Sequence, residues 1–155
     1  MIDTIFVDMD GVIADFDKRY FELFGEAKSK EKFNERFQQF IESRQFETLD
    51  LLPGAIKLIN FLSAYNIPKR ILSSTARPIY YRKISDQKQV WLKNNFIRWP
   101  QIFVPGASIK RHWATPNSIL IDDHLLNIED WNKNGGIGIH HKDVDITIET
   151  LKKYI

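Results

Sequence analysis

The stretch Thr4-Ile5-Phe6-Val7-Asp8-Met9-Asp10-Gly11-Val12 constrains this chain more than any other part of it. A short apolar run, Ile5 to Val7, leads straight into two acids. On an extended backbone Asp8 and Asp10 project from the same face, and Gly11 lets the chain turn sharply with no Cβ penalty. The same residues also read as a β-hairpin, because Asp-Gly between alternating apolar residues is a strong tight-turn signal. A hairpin accounts for Asp10 but not for Asp8, a carboxylate at the end of a strand that should be buried. Burying that charge unpaired is costly, so the rest of the chain must supply a positive partner.

A length of 155 residues fits a single domain, 1–155, able to bury a sizeable core without staples. With no cysteine, disulfides and thiolate metal sites are excluded. The formal net charge of +2 is too small to argue for stable nucleic-acid binding. Met1-Ile2-Asp3 carries no basic region ahead of an apolar stretch, and no apolar run approaches the roughly 18 residues of a membrane span. A cytoplasmic protein without a membrane partner is the expectation.

Apolar spacing predicts helices over 15–24, 33–44, 55–65, 81–95, 126–134 and 146–154. Short apolar runs predict strands at the start and over 70–73, 101–104, 118–121 and 136–140. Strands alternating with helices imply an α/β fold, a parallel sheet of about five strands covered on both faces. Residues 18–52 lie outside this rhythm. They hold aromatic-rich helices and no strand, which predicts a small helical cap inserted after strand one, with Phe21, Phe33, Phe37 and Phe40 forming its core.

Polar residues gather at the carboxyl ends of the strands: Asp8 after the first, Ser74-Thr75 after the second, Asp122-Asp123 after the fourth. Open α/β sheets bind ligands at this edge. If strands one and four are neighbours, Asp8 and Asp122 meet, and converging carboxylates repel unless a cation joins them. All-oxygen ligands select a hard ion, and few protein ligands combined with phosphate and water suit Mg²⁺. Asp123 also reads as a helix N-cap, Ser74-Thr75 as a polar strand end, and Lys110 as one of 22 basic residues that are mostly solvated. His140-His141 read as ordinary strand-end histidines, since no further ligand stands at a metal-binding spacing.

Taken together, these stretches resemble the haloacid dehalogenase superfamily of phosphohydrolases. Asp8-Met9-Asp10-Gly11-Val12 resembles its first motif, Ser74 the second, Lys110 the third, and Ile119-Leu120-Ile121-Asp122-Asp123 the fourth. The run from Asp8 to Phe16 is similar to 5′-nucleotidases of the deoxyribonucleotidase type. The resemblance implies a Rossmann-like fold and a covalent mechanism. Asp8 would attack phosphorus and Asp10 would act as general acid and base. Mg²⁺ would be held by Asp8, the Asp10 carbonyl and Asp122, with Lys110 offsetting charge from another side and Arg111 as its substitute. Ser74, Thr75 and backbone N–H groups near Asp10 and Gly11 would bind the phosphoryl oxygens. Asp123 would orient its neighbours.

The implied substrate is a small phosphomonoester, most specifically a (deoxy)nucleoside monophosphate, with Phe16 stacking on the base. Arg77 reads equally as a phosphate contact and as a surface arginine. Sugar phosphates and nucleic-acid 3′ ends are alternative substrates. A catalytically silent, phosphate-binding regulatory module is the alternative outside enzymes.

Overall fold

The structure, a computed structural model, describes residues 1–155. Five strands, β1 (Thr4–Val7), β2 (Lys69–Ser74), β3 (Gln101–Val104), β4 (Ser118–Asp122) and β5 (Ile137–His140), form one parallel sheet in the order β3-β2-β1-β4-β5. Six helices accompany it: α1 (Phe16–Phe24), α2 (Phe33–Glu42), α3 (Ala55–Ser63), α4 (Tyr81–Asn94), α5 (Leu125–Lys133) and α6 (Val144–Leu151). No helix is long and apolar enough to cross a membrane.

The central strands are apolar on both faces because both faces are covered. Ile5, Val7, Ile71, Ile119 and Ile121 join the larger core, while Phe6, Leu72 and Leu120 join a smaller one with Val104, Ile128 and Trp131. Every one of these side chains is essentially inaccessible. The Asp-Gly turn makes no hairpin: β1 pairs in parallel with β2 on one side and β4 on the other. After β1 the chain builds the sheet outward in one direction through β2 and β3, then returns to the other side of β1 for β4. The point of reversal lies between the tips of β1 and β4, where Val7 is in register with Ile121. Asp8 and Asp122 follow these two residues, so the topology alone brings them together.

Between β1 and α3 lie α1, α2 and a 3-10 turn over Gln45–Thr48. Asp15 caps α1 by accepting from the Lys18 N–H, and Gly25 ends it in a left-handed conformation. The inner faces interlock as a ring cluster of Phe16, Tyr20, Phe37, Phe40 and Phe46. Phe37 and Phe40 are buried as expected, but Phe21 is 60% exposed and lies outside this core. Helical spacing explains the difference: Phe21 follows Tyr20 by one residue, which turns it about 100° around α1 and off the buried face.

Helix α4 ties this segment to the sheet. Gln87 Nε2 donates to the Ile41 carbonyl at 2.8 Å, Gln87 Oε1 accepts from the Phe46 N–H at 3.3 Å, and Trp91 Nε1 donates to the Leu49 carbonyl at 2.7 Å. All three bonds are buried, where leaving either partner unpaired carries the full desolvation cost.

Candidate active site

A cleft of about 180 Å³ opens at the carboxyl edge of the sheet, above the point of reversal. The turn after β1 shapes its floor. The N–H groups of Val12, Ile13 and Ala14 all point at the Met9 carbonyl, and Gly11 stands at φ +81°. A Cβ at Gly11 would lie 2.0 Å from Asp123 Oδ2, so glycine is required both for its backbone angle and to make room for that carboxylate. The Gly11 N–H donates to the Ala14 carbonyl at 3.0 Å. It therefore holds the turn together, and the expectation that it would bind a phosphoryl oxygen is corrected.

Asp8 is buried at the tip of β1 and finds its positive partner in Lys110. The Lys110 Nζ lies 3.0 Å from Asp8 Oδ1 and 2.7 Å from Asp122 Oδ2. Lys110 belongs to a 3-10 helix over Ala107–Trp113, where it is 3% exposed while Arg111 faces solvent. Of the two candidates for the third motif, only Lys110 enters the site. Asp122 also accepts from the His124 N–H and from Asn127 Nδ2. Burial and the neighbouring charge of Asp122 push the Asp8 carboxyl up to about 7 against the pull of Lys110. Burial alone would lower the Lys110 ammonium, but Asp8 and Asp122 outweigh it and hold the group charged. Burial and Asp122 raise Asp123 to about 6.

Asp10 has a partner that sequence reasoning missed. Lys88, 2% exposed on α4, donates to Asp10 Oδ2 at 3.0 Å, Ser73 Oγ at 2.7 Å and the Ser74 carbonyl at 3.0 Å. A lysine inside an expected surface helix gives little warning of this. The available signal was position: Lys88 stands four residues after Ile84 and three before Trp91, on the apolar stripe. Asp10 Oδ1 is buried with no protein partner.

Ser74 lines the cleft, and its Oγ accepts from the Ala76 N–H at 3.0 Å, which leaves the hydroxyl proton free to donate. Ala76 is held at φ +66°, a strained angle for a residue with a Cβ. Thr75 is fully buried and its hydroxyl donates to the Val104 carbonyl, so the expected phosphoryl contact from that hydroxyl is corrected. Strand alternation accounts for the change, because successive side chains of an extended segment point to opposite faces. Arg77 reaches Asn34 of α2 at 3.3 Å on the surface and does not line the cleft. His140 Nε2 donates to the Asp123 carbonyl, and His141 Nδ1 shares a hydrogen bond with Thr147 Oγ1, so neither serves a metal cluster.

Six aspartates line the cleft, Asp8, Asp10, Asp15, Asp17, Asp122 and Asp123, against three lysines, Lys28, Lys88 and Lys110. Single carboxylate oxygens of Asp8, Asp122 and Asp123 lie within 4.8 Å of one another. This excess of charge, an all-oxygen donor set and the space that Gly11 leaves for Asp123 fit a hard divalent cation. The cluster includes Asp123, which sequence reasoning had cast as an orienting residue. It does not include the Asp10 carboxylate, which Lys88 draws aside.

Phe16 does not present an open face. It is 7% exposed, with Tyr20 and Phe46 stacked near it and Phe37 and Phe40 at its edges. The expected free stacking platform is thus a wall of the aromatic core. Part of that wall also borders a second cavity of about 300 Å³, lined by Phe16, Phe33, Phe37 and Phe46. The two cavities meet at Asp10, Phe16, Lys28, Ser74 and His124.

No protein-family model matches the chain, and no curated protein sequence matches it. Solved structures do. A hydrolase from Streptococcus pneumoniae TIGR4 superposes with a TM-score of 0.62 at 14% identity, over 97% of this chain and 98% of that one. A Thermotoga maritima protein provisionally assigned as a beta-phosphoglucomutase gives 0.61 at 13% identity, over 99% and 100%. The D,D-heptose 1,7-bisphosphate phosphatase of Burkholderia thailandensis gives 0.50 at 10% identity, over 96% and 84%. At these identities the likeness is one of fold. The Rossmann-like parallel sheet between helices expected from the sequence is the architecture of this chain, and it is shared with these solved structures.

Proposed function

We propose that the protein is a Mg²⁺-dependent phosphomonoester hydrolase that works through an aspartyl-phosphate, with nucleoside monophosphates as its substrates and residues 18–52 as the cap over its cleft. The observation that carries the reading is the pairing of two differently held acids. Asp8 is buried against Lys110 and Asp122, while Asp10 is gripped on one oxygen by Lys88 and bare on the other.

The Asp8 carboxylate attacks phosphorus and the bond from phosphorus to the ester oxygen breaks. Asp10, entering this step protonated, gives its proton to the departing oxygen from the unpartnered Oδ1. The now ionised Asp10 then takes a proton from water, which attacks phosphorus and releases Asp8 and inorganic phosphate. Ser74 donates its hydroxyl proton to a phosphoryl oxygen, and Lys110 holds the Asp8 carboxylate in place and favours its ionised form against the effect of burial. Mg²⁺, held by Asp8, Asp122, Asp123 and the Asp10 carbonyl, would supply the charge that lets a dianionic phosphoryl group approach these aspartates.

The nucleotide reading is favoured by the aromatic cavity that adjoins the cleft, since a flat apolar body attached to the phosphate fits walls of phenylalanine. Purified protein is to be assayed for phosphate release from nucleoside monophosphates, sugar phosphates and a 3′-phosphorylated oligonucleotide, with Mg²⁺ and with EDTA. Mg²⁺-dependent release, fastest from mononucleotides and lost in Asp8→Asn, is the expected result. Metal-independent turnover, or full activity in Asp8→Asn, overturns it.

A further inference from the structure

Of the three lysines in the cleft, two are fully committed. Lys110 bridges Asp8 and Asp122, and Lys88 holds Asp10, Ser73 and Ser74, both from buried positions. Lys28 differs in every respect. It sits between α1 and α2, its side chain is 52% exposed, and its one ionic partner is Asp17 at 3.0 Å, itself 69% exposed. An exposed pair of this kind is weak and easily exchanged. The Lys28 Nζ stands 5.7 Å from the centroid of the Phe16 ring, which favours an ammonium held over the junction of the two cavities.

We propose that Lys28 is a substrate-binding residue that leaves Asp17 when a phosphomonoester enters and donates to an oxygen of its phosphoryl group. This assignment rests on the monoesterase reading. It follows from partner strength: a phosphate dianion in a walled cleft forms a shorter, stronger charge-assisted bond with an ammonium than a carboxylate facing water does. It also gives Asp17 a role, that of holding the lysine at the rim in the empty protein. Asp17 therefore competes with the substrate, and removing it has the opposite effect to removing Lys28.

Binding of inorganic phosphate in the presence of Mg²⁺, measured by calorimetry on the full chain, tests this without requiring turnover. Lys28→Gln is expected to weaken phosphate by about five- to tenfold, Lys28→Arg to stay near the wild type, and Asp17→Asn to tighten it by about two- to threefold. Wild-type affinity in Lys28→Gln, or weakening by both Lys28→Gln and Asp17→Asn, overturns the lysine assignment and leaves the monoesterase reading standing. Absence of phosphate binding in the wild type itself overturns both.

Discussion

The Asp123 carboxylate rests where a side chain on Gly11 would have to be, with Oδ2 only 2.0 Å from the Cβ position of that residue. A residue at the tip of the fourth strand thus depends on the absence of a side chain after the first. Gly11→Ala should cost about 1–3 kcal/mol through its positive φ and should also push Asp123 out of the oxygen cluster. Mg²⁺ affinity measured by calorimetry should fall by about tenfold or more. A variant that melts earlier but binds Mg²⁺ as the wild type does would show that Asp123 is no ligand.

Lys110 separates two buried carboxylates. Lys110→Met leaves Asp8 and Asp122 facing each other without a counter-charge, so unfolding free energy in metal-free buffer should fall by about 3–5 kcal/mol. Added Mg²⁺ should restore a large part of the loss, because the ion replaces the missing charge. Denaturant midpoints with and without Mg²⁺ measure both effects.

Lys88 orients the Asp10 carboxylate without touching the nucleophile. Lys88→Met should reduce kcat by about 10²-fold while KM changes little, since the residue acts on the proton donor and not on substrate binding. Steady-state kinetics on the best monoester gives this split, and a pure KM effect would contradict it.

Trp91 joins α4 to the helical segment through one buried hydrogen bond to the Leu49 carbonyl. Trp91→Phe keeps most of the ring and strands that carbonyl, at a cost of about 1–3 kcal/mol. Hydrogen exchange should accelerate across residues 16–48 more than in the central strands, because the tie that is lost belongs to that segment.

In the metal-free protein, stability should decline as pH rises from about 4 to about 7. Asp8 and Asp123 keep their protons in the folded state to about 7 and about 6, whereas both release them near 3.8 once unfolded. The folded state thus binds more protons across that window, and raising the pH favours unfolding. Buried His141 acts in the opposite direction: its lowered value means that its share of stability is lost as pH falls below about 6.5. Comparing wild type with Asp8→Asn isolates the Asp8 part, whose slope should vanish in the variant. The stabilisation given by Mg²⁺ should grow with pH, as the ion competes with those protons.

What the sequence determined by itself is local. The apolar runs at Ile5–Val7 and Ile119–Ile121 can only be buried strands, and acids placed directly after them must emerge at the sheet edge. Spacing placed the helices to within a few residues, the polar residues after the strands marked Asp8, Asp10, Ser74 and Asp122, and the family resemblance added Lys110; all five line one cleft. The tertiary structure decided everything that depends on distance between remote elements. It turned the Thr75 hydroxyl toward Val104, closed rings around Phe16, and set Lys88 against an acid 78 positions earlier in the chain. A lysine on an amphipathic helix reads as solvated until the strand packed beneath it is known. Burial and pairing are properties of the assembled layers, whereas periodicity is a property of the chain.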